Sequence, residues 1–429
     1  MRLHVYLLRM SDSTIFDREL QRFLLLLGSA LTAAGEAVNE IEERLLRVAV
    51  AYGAVQARFV VLPTYVVMSL EPGYPATLEP TRALSRGLRL DQTAAVYEVL
   101  REAEQGLISP AEGSLRIREI ARMRPRFGPA VQILGYAVLT AGICLILQPT
   151  WIDLVLSATF GVLVSVFKQI AARWTSLRMI MPVTAAFVVA ALSFLIAGGG
   201  WADADLRSMV APLATYLPGA ILTMAVVEVS AGEMVTGASR LVTGILQLLL
   251  LAFGIIGAAQ AVGLPRAEEL VSAPQNSIGA WAPWLGALVV AVGNYLVHSG
   301  PPGSLGWLCL VLYSGWIAQY FGGLVFGGYL SGFLGALLLT VVAYLVERAP
   351  SGPPALVSFL PGFWLLVPGA LSLIGLTEYL SQDSVHGVSD LIRALGSMLA
   401  IALGVLCGHP IYRGLARALA IRNLRQELA

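Results

Sequence analysis

From Val131 onward the chain is a succession of apolar runs separated by short polar connections. Crossing a bilayer as a helix takes about 20 apolar residues. On that measure the pattern predicts spans near 131–148, 152–170, 178–197, 208–228, 238–262, 281–298, 304–320, 323–346, 355–377 and 388–408. The first 126 residues read differently. Glu36–Tyr52 carries apolar residues at Val38, Ile41, Leu45, Val48 and Ala49, a helical spacing that Gly53 closes. Two β-rich runs, 57–62 and 65–70, flank Pro63-Thr64, and 93–104 reads as a further helix. Ser109-Pro110-Ala111-Glu112 combines an N-cap serine, a proline at the first helical position and an acid at the third, which opens a helix through Arg122. The apolar stretch 23–35 is too short to span and runs into charged sequence, so a buried helix is expected there and not a cleaved signal.

The pattern repeats internally. Residues 218–258 align with 368–408 at an offset of 150 without a gap, and eleven of 41 positions are identical. These include Pro218/Pro368, Gly219/Gly369, Glu228/Glu378, Gly237/Gly387, Ser239/Ser389 and Gly254/Gly404, while Glu233/Asp383 keeps a carboxylate. Leu134-Gly135 and Gly142 match Leu285-Gly286 and Gly293 at an offset of 151. Each half then holds five spans. Because five is odd, the second half must enter the membrane from the opposite side, the inverted arrangement of many secondary transporters. The expected fold is an α-helical polytopic membrane protein of about ten transmembrane helices, built as two inverted five-helix repeats behind a small cytoplasmic α/β domain. Its expected parts are 1–126, the α/β domain; 127–263, the first repeat; 264–279, a linker; 280–412, the second repeat; and 413–429, a basic cytoplasmic tail.

Composition sharpens the class. The chain is 57% hydrophobic and 13% charged, against about 25% charged in a soluble domain. A net charge of +1 gives no case for nucleic-acid binding. Basic residues cluster before the first span (Arg116, Arg118, Arg122, Arg124, Arg126), between the second and third (Lys168, Arg173, Arg178) and after the last (Arg413, Arg417, Arg422, Arg425). The positive-inside rule then puts both termini in the cytoplasm of a multi-pass protein of the inner or plasma membrane. Cys144, Cys309 and Cys407 each sit in an apolar run, and the four histidines show no ligand spacing, so no metal and no cofactor is expected. Without a Walker sequence, ATP coupling within the chain is not expected.

The candidate pathway residues follow from the cost of polar groups in lipid. Pro218-Gly219 and Pro368-Gly369 fall inside spans, where a break frees backbone groups that only protein or a water-filled cavity can satisfy. The simpler alternative is a packing kink. Glu228, Glu233, Glu378 and Asp383 lie at or near span ends, with Arg240 and Arg393 as candidate partners; they are either functional charges or solvated loop carboxylates. Lys168, the only lysine, ends the second span as a pathway group or an interfacial anchor. Asn294, Gln247, Gln319 and His298 are polar positions in apolar runs, suited to a pathway or to helix–helix hydrogen bonds.

Three blocks of residues resemble the threonine/serine exporter (ThrE) family. Ala34-Gly35-Glu36, Ile41-Glu42, Leu45, Tyr52-Gly53 and Leu62-Pro63-Thr64 resemble its opening domain. Leu217-Pro218-Gly219, Glu228, Gly232-Glu233, Gly237 and Arg240 resemble its first membrane half, and Val367-Pro368-Gly369 with Gly404 the second. The resemblance implies a non-enzymatic antiporter: proton-driven export of the hydroxy amino acids threonine and serine. The implied partners are an amino-acid substrate, protons and the bilayer, with a homo-oligomer left open. The alternatives are a dicarboxylate exporter and a membrane-anchored hydrolase using the N-terminal domain.

Overall fold

A computed structural model describes residues 2–70, 76–80, 87–147, 150–198, 206–263, 278–326, 328–366, 373 and 384–427. Pro368, Gly369, Glu378 and Asp383 lie outside the described residues. By internal contacts the chain divides into two compact units. One holds Met1–Arg126 with Glu228–Ser239, and the other Phe127–Val227 with Arg240–Ala429.

The first unit is built from α1 (Arg2–Ala34), α2 (Val38–Ala51), α3 (Leu90–Glu104) and α4 (Pro110–Arg122) around a sheet of β1 (Arg58–Val61), β2 (Tyr65–Ser69) and β3 (Thr77–Pro80). The sheet is antiparallel in the order β1-β2-β3, with Arg58 opposite Ser69 and Val67 opposite Leu78. β3 was not anticipated: its four residues, TLEP, are mostly exposed and carry no alternation of apolar and polar positions. The apolar stretch 23–35 is the inner part of α1, and Leu20, Phe23, Leu24, Leu27, Ala30 and Leu31 are buried there. Gly28 lets α1 approach closely, since a Cβ there would stand 3.1 Å from Leu45 and 3.3 Å from Val66. Ser109 caps α4 by accepting from Glu112 N–H at 3.2 Å. α2 lacks a side-chain cap of its own.

The second unit comprises α5 (Pro129–Ile146), α6 (Trp151–Ala171), α7 (Thr175–Gly198), α8 (Leu206–Leu213), α9 (Gly219–Ser230), α10 (Met234–Val262), α11 (Ala282–Val297), α12 (Leu305–Phe326), α13 (Gly328–Glu347), α14 (Ala355–Leu365) and α15 (Ser384–Glu427), with the outer ends of α9 and α10 in the first unit. Among the described residues, seven helices are long and apolar enough to cross a membrane. Met209–Tyr216 and Gly219–Ser230, bent by 47°, are together long and apolar enough for a broken span or a re-entrant loop. Ala282–Val297 and Ala355–Leu365 are shorter apolar helices. The helix does not end at the expected boundary of 320–323: Gly322 and Gly323 stay helical and α12 continues to Phe326.

Glycines set the packing. α5 and α11 lie antiparallel: a Cβ at Gly135 would stand 2.6 Å from Leu296 Cβ, and one at Gly286 3.0 Å from Leu145 Cβ. A Cβ at Gly142 would be 2.6 Å from Val290 N, and one at Gly293 2.5 Å from Leu139 N. These contacts are reciprocal. Adding 151 to each α5 residue gives the α11 residue that makes the mirrored contact. The buried faces share the same register: Ser157, Phe160, Gly161, Val164 and Ser165 of α6 correspond to the buried Leu308, Val311, Leu312, Gly315 and Trp316 of α12. At an offset of 150, a Cβ at Gly254 would collide with Val183 O, Ala186 Cβ and Phe187 N, and one at Gly404 with Phe333 O, Ala336 Cβ and Leu337 N.

Candidate functional site

The chain breaks between α8 and α9. A short 3-10 turn, Ala214–Tyr216, ends at Leu217, and Pro218 begins the next helix by accepting from Leu222 N–H at 2.8 Å. Proline has no N–H to continue the ladder and its ring excludes the preceding turn. Two of the carbonyls around the break are satisfied by side chains. Tyr136 of α5 donates to Pro212 O at 2.9 Å, and Gln247 Nε2 of α10 donates to Tyr216 O at 2.6 Å.

Lys168 comes to this break from the last turn of α6. The residue is half-buried. Its Nζ donates to Thr215 Oγ1 at 3.1 Å and lies 5.0 Å from the centroid of the Tyr136 ring and 5.5 Å from that of Tyr216. Tyr136 and Thr215 hydroxyls are 2.7 Å apart. Donor bookkeeping orders the relay, because an ammonium only donates and a carbonyl only accepts. Lys168 donates to Thr215, Thr215 to Tyr136, and Tyr136 to Pro212 O. One ammonium N–H is used in this way. Among the described residues no carboxylate stands within 4.0 Å of Nζ. The Tyr136 and Tyr216 rings beside Nζ attract a cation without saturating its donors. Such an arrangement suits an anionic group brought from outside the protein. His298, at the end of α11, is near enough to feel the Lys168 charge, and its ring packs on Trp364 at 4.9 Å.

The other sequence candidates are distributed differently. Asn294 is fully buried in α11; its Nδ2 donates to Val290 O at 3.1 Å, and its Oδ1 has no hydrogen-bond partner among the described residues. Arg240 is half-buried near the start of α10. Glu228 and Glu233 belong to the first unit. Glu228 is fully buried, with Oε1 at 3.4 Å from Val38 N at the uncapped start of α2, where a carboxylate meets both an orphan N–H and the positive end of the helix dipole. Glu233 is half-buried and its charge acts on Glu42. Burial pushes the Glu42 carboxyl up, Val61 N–H at 2.8 Å opposes that, and Glu233 adds to the rise. Burial also raises Glu36, against the pull of Arg44, whose Nε lies 2.6 Å from Oε1.

The structure thus gathers Lys168, Pro218 and Gly219 at one break and sets Glu228 and Glu233 in the other unit. Tyr136, Thr215 and Tyr216 were missed from sequence. A tyrosine in an apolar run is unremarkable, and Thr215 and Tyr216 gain meaning only from the break that follows them.

Comparison with known proteins agrees with the earlier resemblance. The family model ThrE, described as "Putative threonine/serine exporter", matches residues 22–262. Similar curated proteins include Pheromone-regulated membrane protein 10 of Yarrowia lipolytica, 22% identical over 83% of this chain and 30% of its own length. The protein of that name from Eremothecium gossypii is 22% identical over 90% of this chain and 53% of its own length. The chain therefore spans between about a third and a half of these relatives. No solved structure matches.

Proposed function

The chain belongs to the ThrE family, and from that premise we propose that it is a secondary transporter exporting small hydroxy amino acids, threonine and serine, by antiport with protons. The observation that carries the reading is Lys168. Its ammonium is held at a helix break by one hydroxyl and two ring faces, with donors left for a solute carboxylate. One such cation fits one carboxylate, which favours an amino acid over a dicarboxylate. The break fits the same role, since unwound backbone at membrane depth is tolerated where protein or a cavity answers it.

The architecture we propose is two inverted five-helix repeats. The antiparallel, reciprocal contacts of α5 with α11 support it, because a residue pair i–j mirrored as j–i marks a two-fold relation. An axis relating two antiparallel spanning helices runs parallel to the membrane plane. The two short helices and the bent pair would complete ten spans. Glu228, Glu233, Arg240, Asn294, Pro368, Gly369, Glu378 and Asp383 remain proposed pathway or coupling groups. Both termini and the 1–126 domain are proposed to be cytoplasmic; a Ser109→Cys variant should then resist labelling by an impermeant reagent added to intact cells.

The deciding experiment is counterflow in proteoliposomes with labelled threonine, serine, alanine, valine and C4 dicarboxylates. Exchange of threonine and serine, stimulated in the export direction by an imposed pH gradient, is expected. Exchange of dicarboxylates alone would overturn the reading.

A further inference from the structure

The shared register of α6 and α12 sets Gln319 of the second half at the position of Lys168 in the first. Local packing repeats the neighbourhood. Leu366 takes the place of Tyr216 at an offset of 150, and a Cβ at Gly335 would lie 2.9 Å from Leu366 and 3.0 Å from Gln319, so both residues flank one point. The chemistry has changed. Ala287 replaces Tyr136 and Leu365 replaces Thr215, leaving neither a cation nor a hydroxyl relay. α12 carries two unpartnered polar atoms, Gln319 Oε1 and, one helical turn earlier, Trp316 Nε1. Both are buried, and neither has a hydrogen-bond partner among the described residues. Trp316 is only 9% exposed. Buried polar atoms without partners are uncommon, because leaving one unmade costs about 1–3 kcal/mol.

We propose that Gln319 and Trp316 form the second half's neutral counterpart of the lysine pocket, and that it takes a hydroxyl group of the transported solute. The inventory selects the ligand. An indole N–H only donates and an amide oxygen only accepts. In the orientation the structure gives Gln319, with Oε1 as the unpartnered atom, a carboxylate would face the amide oxygen and an ammonium would face the indole N–H. A hydroxyl accepts from Trp316 and donates to Gln319 and so satisfies both. This assignment rests on the amino-acid export reading: Lys168 holds the carboxylate and the second-half pair reads the side chain.

Threonine and valine test it, since they differ by a hydroxyl in place of a methyl. Counterflow of each is measured in proteoliposomes for wild type, Trp316→Phe and Gln319→Met. Wild type should prefer threonine. Each variant should lose about tenfold of that preference, and an unfolding midpoint in detergent close to that of wild type reports that it is folded. Wild type without a preference for threonine overturns the proposal with no variant needed. An undiminished preference in both variants overturns it too and assigns the two atoms to a bound water. Amino-acid exchange that depends on Lys168 but treats threonine and valine alike sinks this inference and leaves amino-acid export at Lys168 standing. Absence of amino-acid exchange sinks both.

Discussion

Replacing Lys168 separates binding from folding. Lys168→Met keeps the length and the apolar stem and removes the ammonium. A hydrogen bond to a charged group contributes about 1.5–3 kcal/mol, so loss of the contact to a solute carboxylate should weaken binding by about 10- to 150-fold. Stability should respond in the other direction. The ammonium stands at the break with one hydroxyl at 3.1 Å, two rings at 5.0 and 5.5 Å, and no described carboxylate. Replacing a poorly compensated charge by an apolar group of similar size is often neutral or stabilising. After the change Thr215 can still donate to Tyr136, so the hydroxyl relay survives. Lys168→Arg keeps the charge and can stack on both rings, so it should retain exchange with altered affinity. The assay is concentration-dependent counterflow of threonine together with the unfolding midpoint in detergent. Lys168→Met with wild-type affinity would refute the site. A large drop in the midpoint would instead show that the lysine is structural.

Three further outcomes are expected. Gly142→Ala and Gly293→Ala should each push α5 and α11 apart, costing about 1–3 kcal/mol as overpacking does; a depressed unfolding midpoint checks this, and unchanged midpoints would contradict the close contact. Glu42 binds its proton more tightly folded than unfolded, so its contribution to stability should grow as pH falls from neutral through its raised value towards 4.5 and stop growing below it; Glu42→Gln should flatten that part of the midpoint-versus-pH curve, and an unaltered curve would discount the group. Glu228→Gln, and more weakly Glu378→Gln, should impair pH-driven export more than exchange without a gradient; wild-type pH dependence in both would remove these carboxylates from the coupling step.

Regular periodicity was legible. Helices α2, α3 and α4, the seven helices long enough to cross a membrane, the cap at Ser109 and the buried stretch of α1 followed from spacing and local chemistry, because those signals act over a turn or two. The break at Pro218 was also legible, since proline declares itself wherever it falls. What it gathers was not. Tyr136 and Thr215 are separated by most of the first half and meet only when α5 packs beside α8. Glu228 read as a group near a span end, whereas its carboxylate answers the start of α2, a helix 190 residues earlier in the chain. Distant pairings of this kind leave no periodic trace in one sequence.

The break between α8 and α9 has a mechanical consequence. Bending an intact helix means breaking rungs of its backbone ladder together. At this joint two of the carbonyls rest on single side-chain partners, Tyr136 and Gln247. Each such bond contributes about 1 kcal/mol net, less than twice the thermal energy. The 47° between the two half-helices is therefore held at the joint by two weak side-chain bonds in place of a continuous backbone ladder.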